Sequence, residues 1–312
     1  MSNPASAMKF EKVSQCSAIW KKVFSKAAHT SPFVSYEWFS AMCYHLLKDD
    51  PEVMIFWNKT QPIGIIPGTV KKNTLTFLVD KRVTDLIDII ALPGYEEQIL
   101  EELASFITSN DLHLDIFPLE TESPLCRLLP SLVSDVNTEP ADLCPILPLT
   151  SSWAGYLSGL SGKLRHELRR KLKKATDIEI KVLGSSHLDI FFELMASSGF
   201  GKKEFLQERI RNFLTAIANA FAANQWLRMR VAFLDSKPIA ALFSFQMNDR
   251  IYLYNSGFDP DCFQFSPGIV IIGNDIMAAI NEGIKYYDFL RGNEDYKFRF
   301  GAEKRYTVRL TR

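Results

Sequence analysis

The chain has 312 residues, of which 47% are hydrophobic and 23% charged, and its formal net charge is zero. This composition is typical of a soluble globular protein, and the neutral net charge gives no support for a DNA or membrane partner, which would have to be bound by a local patch. The first ten residues contain no apolar stretch of signal-peptide length, and no segment approaches the ~20 apolar residues of a membrane span, so we expect a cytoplasmic protein.

Cysteines and histidines are few and scattered. Five of each occur, without a Cys-x-x-Cys pair or a His-Glu-x-x-His pattern. An odd number of distant cysteines is typical of a reducing compartment and indicates no disulfide framework. Because no metal-ligand spacing occurs, we predict that the protein binds no metal.

The first predicted elements are hairpins followed by a helix and a strand. Residues 53–78 have the pattern of three strands separated by turns at Asn58 and Asn73, and a helix and a strand are expected over 96–117. Six of the fifteen prolines then lie between residues 118 and 148. They predict an irregular connection or edge strands, with a domain boundary near residue 150.

Helices are predicted at the start of the second half. Leucines at 164, 168 and 172 recur at every fourth position and form one apolar stripe, and Ser161 is a suitable N-cap for this helix. Two further helices with apolar faces are predicted over 186–197 and 203–223.

The first of these helices is strongly basic. Residues 162–175 hold seven Lys or Arg side chains and one Glu. One interpretation is an ordinary solvated helix face. The other is the capture of an anionic substrate, for which Arg165 and Arg169 form the best-placed pair because they stand at i and i+4 on one face.

The order of elements seen in the first half then returns. Residues 229–254 have the pattern of three strands joined by polar turns, and a helix and a strand follow over 270–290. Asp115 and Asp288 stand at matching places in the two closing strands. We interpret this echo as a duplicated α/β unit, although hairpins, helices and strands recur in many α/β proteins.

A strand-to-helix junction in the second half is a candidate ligand site. The strand ends near Ser256, and a helix is predicted to begin at Ser266-Pro267-Gly268, with Ser266 as N-cap and Pro267 in the first helical position. Gly268 leaves the first turn bare, so backbone N–H groups could approach a phosphate or pyrophosphate closely. The alternative is a helix start that is simply well capped.

The last stretch of the second half is rich in aromatic and basic side chains. Alternation predicts a strand over 295–301 with its rings on one face and its cations on the other, namely Tyr296, Phe298 and Phe300 against Lys297 and Arg299. On this interpretation alone, Lys297 is an exposed lysine of an amphipathic strand.

Taken together, these features resemble the C-terminal half of the GNAT acyltransferase superfamily. Four of them occur in the right order: the basic helix, the stretch YLYNSGFDP, the Ser-Pro-Gly helix leading to YDFLRG, and Tyr-Lys-x-x-Phe-Gly at 296–301. They are similar to CelD-like or BioF-like acetyltransferases and to the related Fem-type peptidyltransferases. The resemblance covers about 151–305 and is faint over 1–150.

The resemblance implies a fold and an activity. The fold would be α/β (α+β), with tandem GNAT-like units at 1–150 and 151–312, each a mixed, mostly antiparallel sheet flanked by helices. The second unit would be the enzyme, an N-acyltransferase that uses acetyl-CoA or another acyl-CoA. Its partner would be a small-molecule amine acceptor, such as an amino sugar or a cell-envelope precursor.

The resemblance also implies where the donor lies. Tyr254, Asn255 and Ser256 would line the donor's pantetheine, and Ser266, Pro267 and Gly268 would meet its pyrophosphate. The usual glycine-rich loop is absent, since Gln264–Ile269 keeps only one of its glycines. Two alternatives therefore stay open: a Fem-like peptidyltransferase that uses aminoacyl-tRNA, and a non-catalytic GNAT-like module that binds an anionic partner.

Three residues are the catalytic candidates, namely Lys297, Asp288 and Tyr254. Lys297 matches the lysine of the Fem-type motif, which implies a position beside the reacting carbonyl, where a cation stabilises the oxyanion. Asp288 could act as a base, orient Arg291 or Lys297, or serve a structural purpose.

Four residues are the substrate-binding candidates, namely Arg165, Arg169, Arg291 and Tyr296. Arg291 follows the closing strand at its C-terminal end, where open α/β sheets bind ligands. The alternative for Arg291 is an ion pair with Glu294 or Asp295.

Overall fold

The computed structural model describes residues 6–312, with Ser6 and Phe200 described by their backbone only. The strands are β1 (Ser6–Lys12), β2 (Glu52–Asn58), β3 (Gln61–Ile66), β4 (Gly68–Lys71), β5 (Thr74–Phe77), β6 (Ile90–Ala91), β7 (His113–Leu119), β8 (Asn137–Leu143), β9 (Ile146–Pro148), β10 (Ile178–Leu183), β11 (Leu227–Leu234), β12 (Lys237–Met247), β13 (Arg250–Phe258), β14 (Tyr286–Asp288) and β15 (Tyr306–Thr311).

The α-helices are α1 (Ser17–Phe24), α2 (Tyr36–Met42), α3 (Glu96–Ser109), α4 (Pro124–Leu132), α5 (Trp153–Gly159), α6 (Gly162–Lys174), α7 (Leu188–Ser197), α8 (Phe200–Phe205), α9 (Glu208–Ala223), α10 (Pro267–Asn281) and α11 (Asp295–Phe298). Short 3-10 helices cover Val13–Gln15, Pro32–Val34, Ser185–His187 and Pro260–Phe265, and a π-helix covers Cys43–Leu47.

The chain divides into two compact units. The first comprises the residues up to 142 together with 306–312, and the second comprises 143–305. Sheets of the first unit have the strand orders β1-β2-β3-β6 and β4-β5-β7-β15-β8. The pairing of β15 with β7 places the last strand in the first unit. The bounds of 1–150 and 151–312 for two GNAT-like units stay a prediction.

The second unit is built on one mixed sheet of order β10-β11-β12-β13-β14-β9. Neighbouring strands are antiparallel except β13 and β14, which are parallel. The central strand β12 is buried continuously from Ile239 to Phe245, as expected of a strand covered on both faces. This mixed, mostly antiparallel sheet with flanking helices confirms the predicted fold class.

Helix α6 packs on α10 through the predicted leucine stripe. Leu168 is buried, and Leu164 and Leu172 pack against the same core. A Cβ atom at Gly273 of α10 would lie 3.1 Å from Leu168 Cδ1, so the missing side chain allows this close approach. The Ser161 hydroxyl accepts a hydrogen bond from the Leu164 N–H, which confirms the predicted N-cap.

The predicted strand over 295–301 is wrong. Residues 295–298 form α11, and a turn follows in which Arg299 N donates to Tyr296 O at 3.1 Å. Gly301, at φ +81°, belongs to this turn. The spacing of rings and cations therefore does not place them on opposite faces of a strand. The exposed-lysine interpretation of Lys297 is wrong as well, because only 2% of this residue is exposed.

Other bounds differ in detail. The helix predicted from residue 203 begins at Glu208, and the separate short helix α8 precedes it. The strand expected to end near Ser256 continues to Phe258. Ser266 stands at the N-cap position of α10, but its backbone is left-handed (φ 51°) and its side chain makes no capping hydrogen bond.

Asp88 is a partly buried carboxylate of the first unit. Its Oδ1 accepts hydrogen bonds from Ser123 Oγ and Ile89 N, both at 2.7 Å. Burial raises the pKa of Asp88 from 3.8 to about 7. Between these two values the folded chain keeps a proton that the unfolded chain has released. This difference in proton binding contributes to the free energy of unfolding. The contribution is fully present below pH 3.8 and is lost as the pH rises through about 7.

We expect Asp88→Asn to flatten this pH dependence, because the amide oxygen accepts the same hydrogen bonds without titrating. The measurement is the free energy of unfolding in urea between about pH 5 and about pH 8, where the wild type should lose more stability than the variant. Asp135→Asn is the control, since Asp135 is exposed in the same unit. Equal pH slopes for wild type and Asp88→Asn would contradict the expectation.

Candidate active site

Strand β13 contains a β-bulge at Tyr254. In its register with β12, Asn255 is opposite Phe243 and Leu253 is opposite Ser244, so Tyr254 is the extra residue. The Tyr254 ring packs against Phe245, with ring centroids 5.2 Å apart. Because a bulge bends its strand and re-aims the next residues, the end of β13 takes a new direction from this point.

Strands β13 and β14 diverge after a short stretch of parallel pairing. Their pairing runs from Arg250 opposite Tyr286 to Tyr252 opposite Asp288. Strand β14 ends there, whereas β13 continues to Phe258. The edge of β13 after Tyr252 therefore faces other side chains in place of a neighbouring strand.

Ser256 lies on this edge, and three side chains occupy its hydrogen-bonding groups. Its N–H donates to Asn255 Oδ1 at 2.9 Å, and its carbonyl accepts from Lys202 Nζ of α8. Its side chain is hydrogen-bonded to Tyr296. Burial, helped by the charge of Glu294, raises the pKa of Tyr296, so this phenol stays protonated at neutral pH.

Lys297 is buried beside this edge. Its Nζ lies 2.8 Å from the Arg291 carbonyl, 3.2 Å from the Leu290 carbonyl and 3.4 Å from the Gly292 carbonyl. It also pairs with Glu294 Oε2 at 2.9 Å. The loop after β14 therefore surrounds the ammonium group with its carbonyls. Of the partners of Lys297, the Glu294 side chain lies nearest to solvent, since it is 56% exposed.

Asp288 is fully buried at the end of β14. Its carboxylate pairs with Arg305 Nη2 at 2.7 Å and with Arg250 Nη1 at 3.5 Å. It also accepts the N–H of Leu290, whose backbone is left-handed (φ 56°). Because Asp288 holds this turn, it positions the carbonyls that surround Lys297. The geometry thus favours the positioning alternative over action as a base.

Helix α10 begins with an open first turn. Pro267 is buried in the first helical position, and the N–H groups of Ile269 and Val270 are bonded to Ser266 O at 3.0 and 3.1 Å. A Cβ atom at Gly268 would meet only the Phe258 ring, at 3.9 Å. The backbone at Gly268 is accordingly accessible, and the positive end of a 15-residue helix lies there.

The predicted arginines are divided between two places. Arg291 lies in the loop around Lys297, to which it contributes its carbonyl. Arg165 and Arg169 lie on α6, where Arg169 is exposed and Arg165 Nη1 lies 3.5 Å from the Ser158 carbonyl. Among the described residues, neither of these two forms a hydrogen bond or an ion pair with Ser256 or Lys297.

Two residues that contact Ser256 or Lys297 are not predicted by the sequence, namely Lys202 and Glu294. Lys202 stands next to Lys203 in the helix Phe200–Phe205, and no local pattern distinguishes the two lysines. Glu294 was considered only as a partner of Arg291, whereas it pairs with Lys297. A sequence signal for either residue would require knowing which loops meet at the edge of β13.

Comparisons with known proteins agree with this geometry. Residues 162–298 match the family model Acetyltransf_6, described as an acetyltransferase (GNAT) domain. In fold the chain is similar to FemX, with a TM-score of 0.67 at 10% identity, over 97% of this chain and 96% of that one. Among curated protein sequences, none is significantly similar to the chain.

Two further solved structures have similar folds. One is L-PGS from Bacillus licheniformis, with a TM-score of 0.58 at 10% identity over 95% of this chain and 91% of that one. The other is a tandem GNAT protein from the clavulanic acid biosynthesis pathway, with a TM-score of 0.50 at 9% identity over 98% of each chain.

The parted strands, the bulge and the matching domain define the second unit as an acyltransferase unit of the GNAT type. Residues 162–298 therefore match a GNAT domain, in agreement with the resemblance seen in the sequence. Within residues 6–312, no helix is both long and apolar enough to cross a membrane.

Proposed function

We propose that the second unit transfers an acyl group from acyl-CoA to the nitrogen of a small amine, such as an amino sugar or a cell-envelope precursor. The observation that supports this most is the parting of β13 from β14 beside the open start of α10. An extended donor can lie along the edge of β13 that is not paired with β14, with its pyrophosphate at Gly268, where the Gly268 N–H and the helix dipole favour an anion.

The reaction replaces a carbon–sulfur bond by a carbon–nitrogen bond and moves one proton from nitrogen to sulfur. The amine nitrogen attacks the thioester carbonyl carbon, the carbon–sulfur bond breaks, and the amine's proton balances the departing thiolate. Negative charge develops on the carbonyl oxygen, and a buried ammonium such as that of Lys297 is suited to stabilise it. The ion pair with exposed Glu294 is the interaction that Lys297 can give up in order to donate a hydrogen bond to this oxygen. The hydrogen bonds to the loop carbonyls keep the ammonium group in place.

The second candidate is Fem-like transfer from aminoacyl-tRNA. Two observations favour it: the missing glycine-rich loop, and the full engagement of Ser256, whose backbone groups would have to change partners to bind a pantetheine. Titration calorimetry with acetyl-CoA separates the two. Binding in the micromolar range supports the first function, and no binding at millimolar concentration would leave only the second or a non-catalytic module.

Gly268→Ala tests the proposed position of the pyrophosphate. The new methyl group has room, so we expect unchanged or slightly higher stability, since Ala favours a helix over Gly by up to about 1 kcal/mol. The same methyl group covers the open turn, and we expect acetyl-CoA affinity to fall about tenfold through weakened backbone hydrogen bonds. Titration calorimetry and thermal unfolding measure the two effects.

Gly162→Ala is the matched control, because Gly162 also stands in the open first turn of a helix in the same unit. It should leave acetyl-CoA affinity unchanged. Equal affinity of wild type and Gly268→Ala would place the pyrophosphate elsewhere.

A further inference from the structure

Lys202 is a lysine that neither the fold nor the proposed chemistry has yet explained. It lies on the short helix α8, is half-buried, and donates through Nζ to the Ser256 carbonyl on the free edge of β13. Lys203, the next residue of the same helix, is exposed. The two lysines therefore differ in their surroundings although they are adjacent in sequence.

The cluster formed by Lys202, Lys297 and Glu294 has two basic side chains and one acidic side chain. Both Lys202 and Lys297 are close enough to Glu294 for its charge to act on them, but Glu294 pairs directly with Lys297 at 2.9 Å. Burial, with a smaller contribution from the charge of Lys297, lowers the pKa of Lys202, whereas Glu294 opposes this change. Two ammonium groups thus share one carboxylate.

The partner of Lys202 does not neutralise it. Among the described residues, its hydrogen-bond acceptor is the Ser256 carbonyl, which carries no net charge. A partly desolvated ammonium without a direct counter-charge raises the free energy of the folded state, and such arrangements are concentrated at ligand sites. An anionic group entering beside Ser256 would relieve this cost by taking the place of the carbonyl as partner.

The proposed donor does not itself supply that anion. Its phosphates are assigned to the start of α10, and the pantetheine that would follow β13 is neutral. An anion at Lys202 would therefore stand next to the reacting carbonyl, on the acyl group or on the amine. A carboxylate suits a lysine in this position because an ammonium–carboxylate hydrogen bond is roughly twice as strong as a neutral one.

We propose that Lys202 is a substrate-binding residue that recognises a carboxylate carried by the acyl group or by the acceptor amine. The identity of the ligand rests on the proposed acyl transfer. The presence of an anion site at Lys202 rests on the charges and contacts of the cluster itself, and it can be tested separately.

The first experiment tests the anion site without turnover. Titration calorimetry compares succinate with succinamide, its neutral counterpart, on the wild type, Lys202→Gln and Lys203→Gln. We expect the wild type and Lys203→Gln to prefer succinate, and Lys202→Gln to lose about tenfold of that preference, as for one hydrogen bond between charged groups. If Lys202→Gln does not fold, wild-type protein without a preference for succinate would still overturn the proposal.

The second experiment finds which substrate carries the carboxylate. One arm compares kcat/KM for succinyl-CoA and acetyl-CoA, and the other compares glycine with glycinamide as acceptor. In the arm whose natural substrate carries the carboxylate, Lys202→Gln should lower kcat/KM about tenfold more for the charged compound than for the neutral one. Equal losses for charged and neutral compounds in both arms would refute the carboxylate role.

Failure of the proposed acyl-CoA function and failure of the anion site at Lys202 give different results. If the wild type turns over neither thioester but still binds succinate through Lys202, the proposed acyl-CoA function fails and the anion site stands. If the thioesters are turned over and Lys202→Gln distinguishes no charge, the function stands and the anion site fails.

Discussion

Lys297→Met is expected to slow acyl transfer strongly and to destabilise the second unit. Met has nearly the length of Lys but no donor, so the carbonyls of Leu290, Arg291 and Gly292 lose the ammonium that joins them. We expect a loss of about 3 kcal/mol, because buried acceptors are left unsatisfied. The ion pair with Glu294 adds less than about 1 kcal/mol, since Glu294 is mostly exposed.

The expected effect on catalysis is larger. Removing a cation that faces a developing oxyanion lowers kcat by about 100-fold or more. Steady-state release of thiol from acetyl-CoA in the presence of an amine measures the rate, and urea unfolding measures the stability. The assay is run at a temperature where the variant is folded, so that the two losses are measured independently.

Lys304→Met is the control for Lys297→Met, because Lys304 is exposed in the same unit. It should change neither the rate nor the stability. A folded Lys297→Met protein with the wild-type kcat would contradict the catalytic prediction, and an unchanged unfolding free energy would contradict the loop-holding role.

Gly257→Ala is expected to have the largest effect on the fold. Gly257 is the residue of β13 that follows Ser256, and a Cβ atom there would lie 2.6 Å from Met195 Cα and closer still to the backbone of Leu194. These are backbone atoms of α7, so no side-chain rotation relieves the clash. The helix must move away from the strand, at a cost of about 3 kcal/mol or more.

That displacement should also disturb the site. Helix α7 precedes α8, which carries Lys202, and the clash lies one residue from the Ser256 carbonyl that Lys202 binds. We expect the thermal midpoint of the second unit to fall by about 10 °C and acetyl-CoA binding to weaken. Gly268→Ala is the control for stability, since its methyl group has room. A midpoint unchanged by Gly257→Ala would show that α7 adapts without cost.

Local patterns predicted most of the elements around the site. The hairpins of the second unit, the basic helix α6 and the start of α10 at Pro267 lie where the sequence placed them. Gly283, at φ +76°, stands directly after the last turn of α10, where a glycine with left-handed backbone commonly ends a helix. These features depend on periodicity, caps and turns, which involve residues close together in the chain.

The segment 295–301 was predicted wrongly for a physical reason. Alternating rings and cations fit a strand equally well when only neighbours are considered. The buried ammonium of Lys297, however, requires several acceptors within reach, and the carbonyls of the loop after β14 supply them when the chain folds back as a helical turn. The cost of burying a charge without partners outweighs a strand preference of at most about 1 kcal/mol.

By itself, the sequence determined the hairpins of the second unit, the basic face of α6 and the bare turn at Gly268 at the start of α10. The tertiary structure alone decided the bulge at Tyr254, because a register exists only between paired strands. It also decided that Lys202 and Lys297 are enclosed whereas Lys203 is exposed. The burial of a charge depends on groups from distant parts of the chain, and these groups meet only after folding.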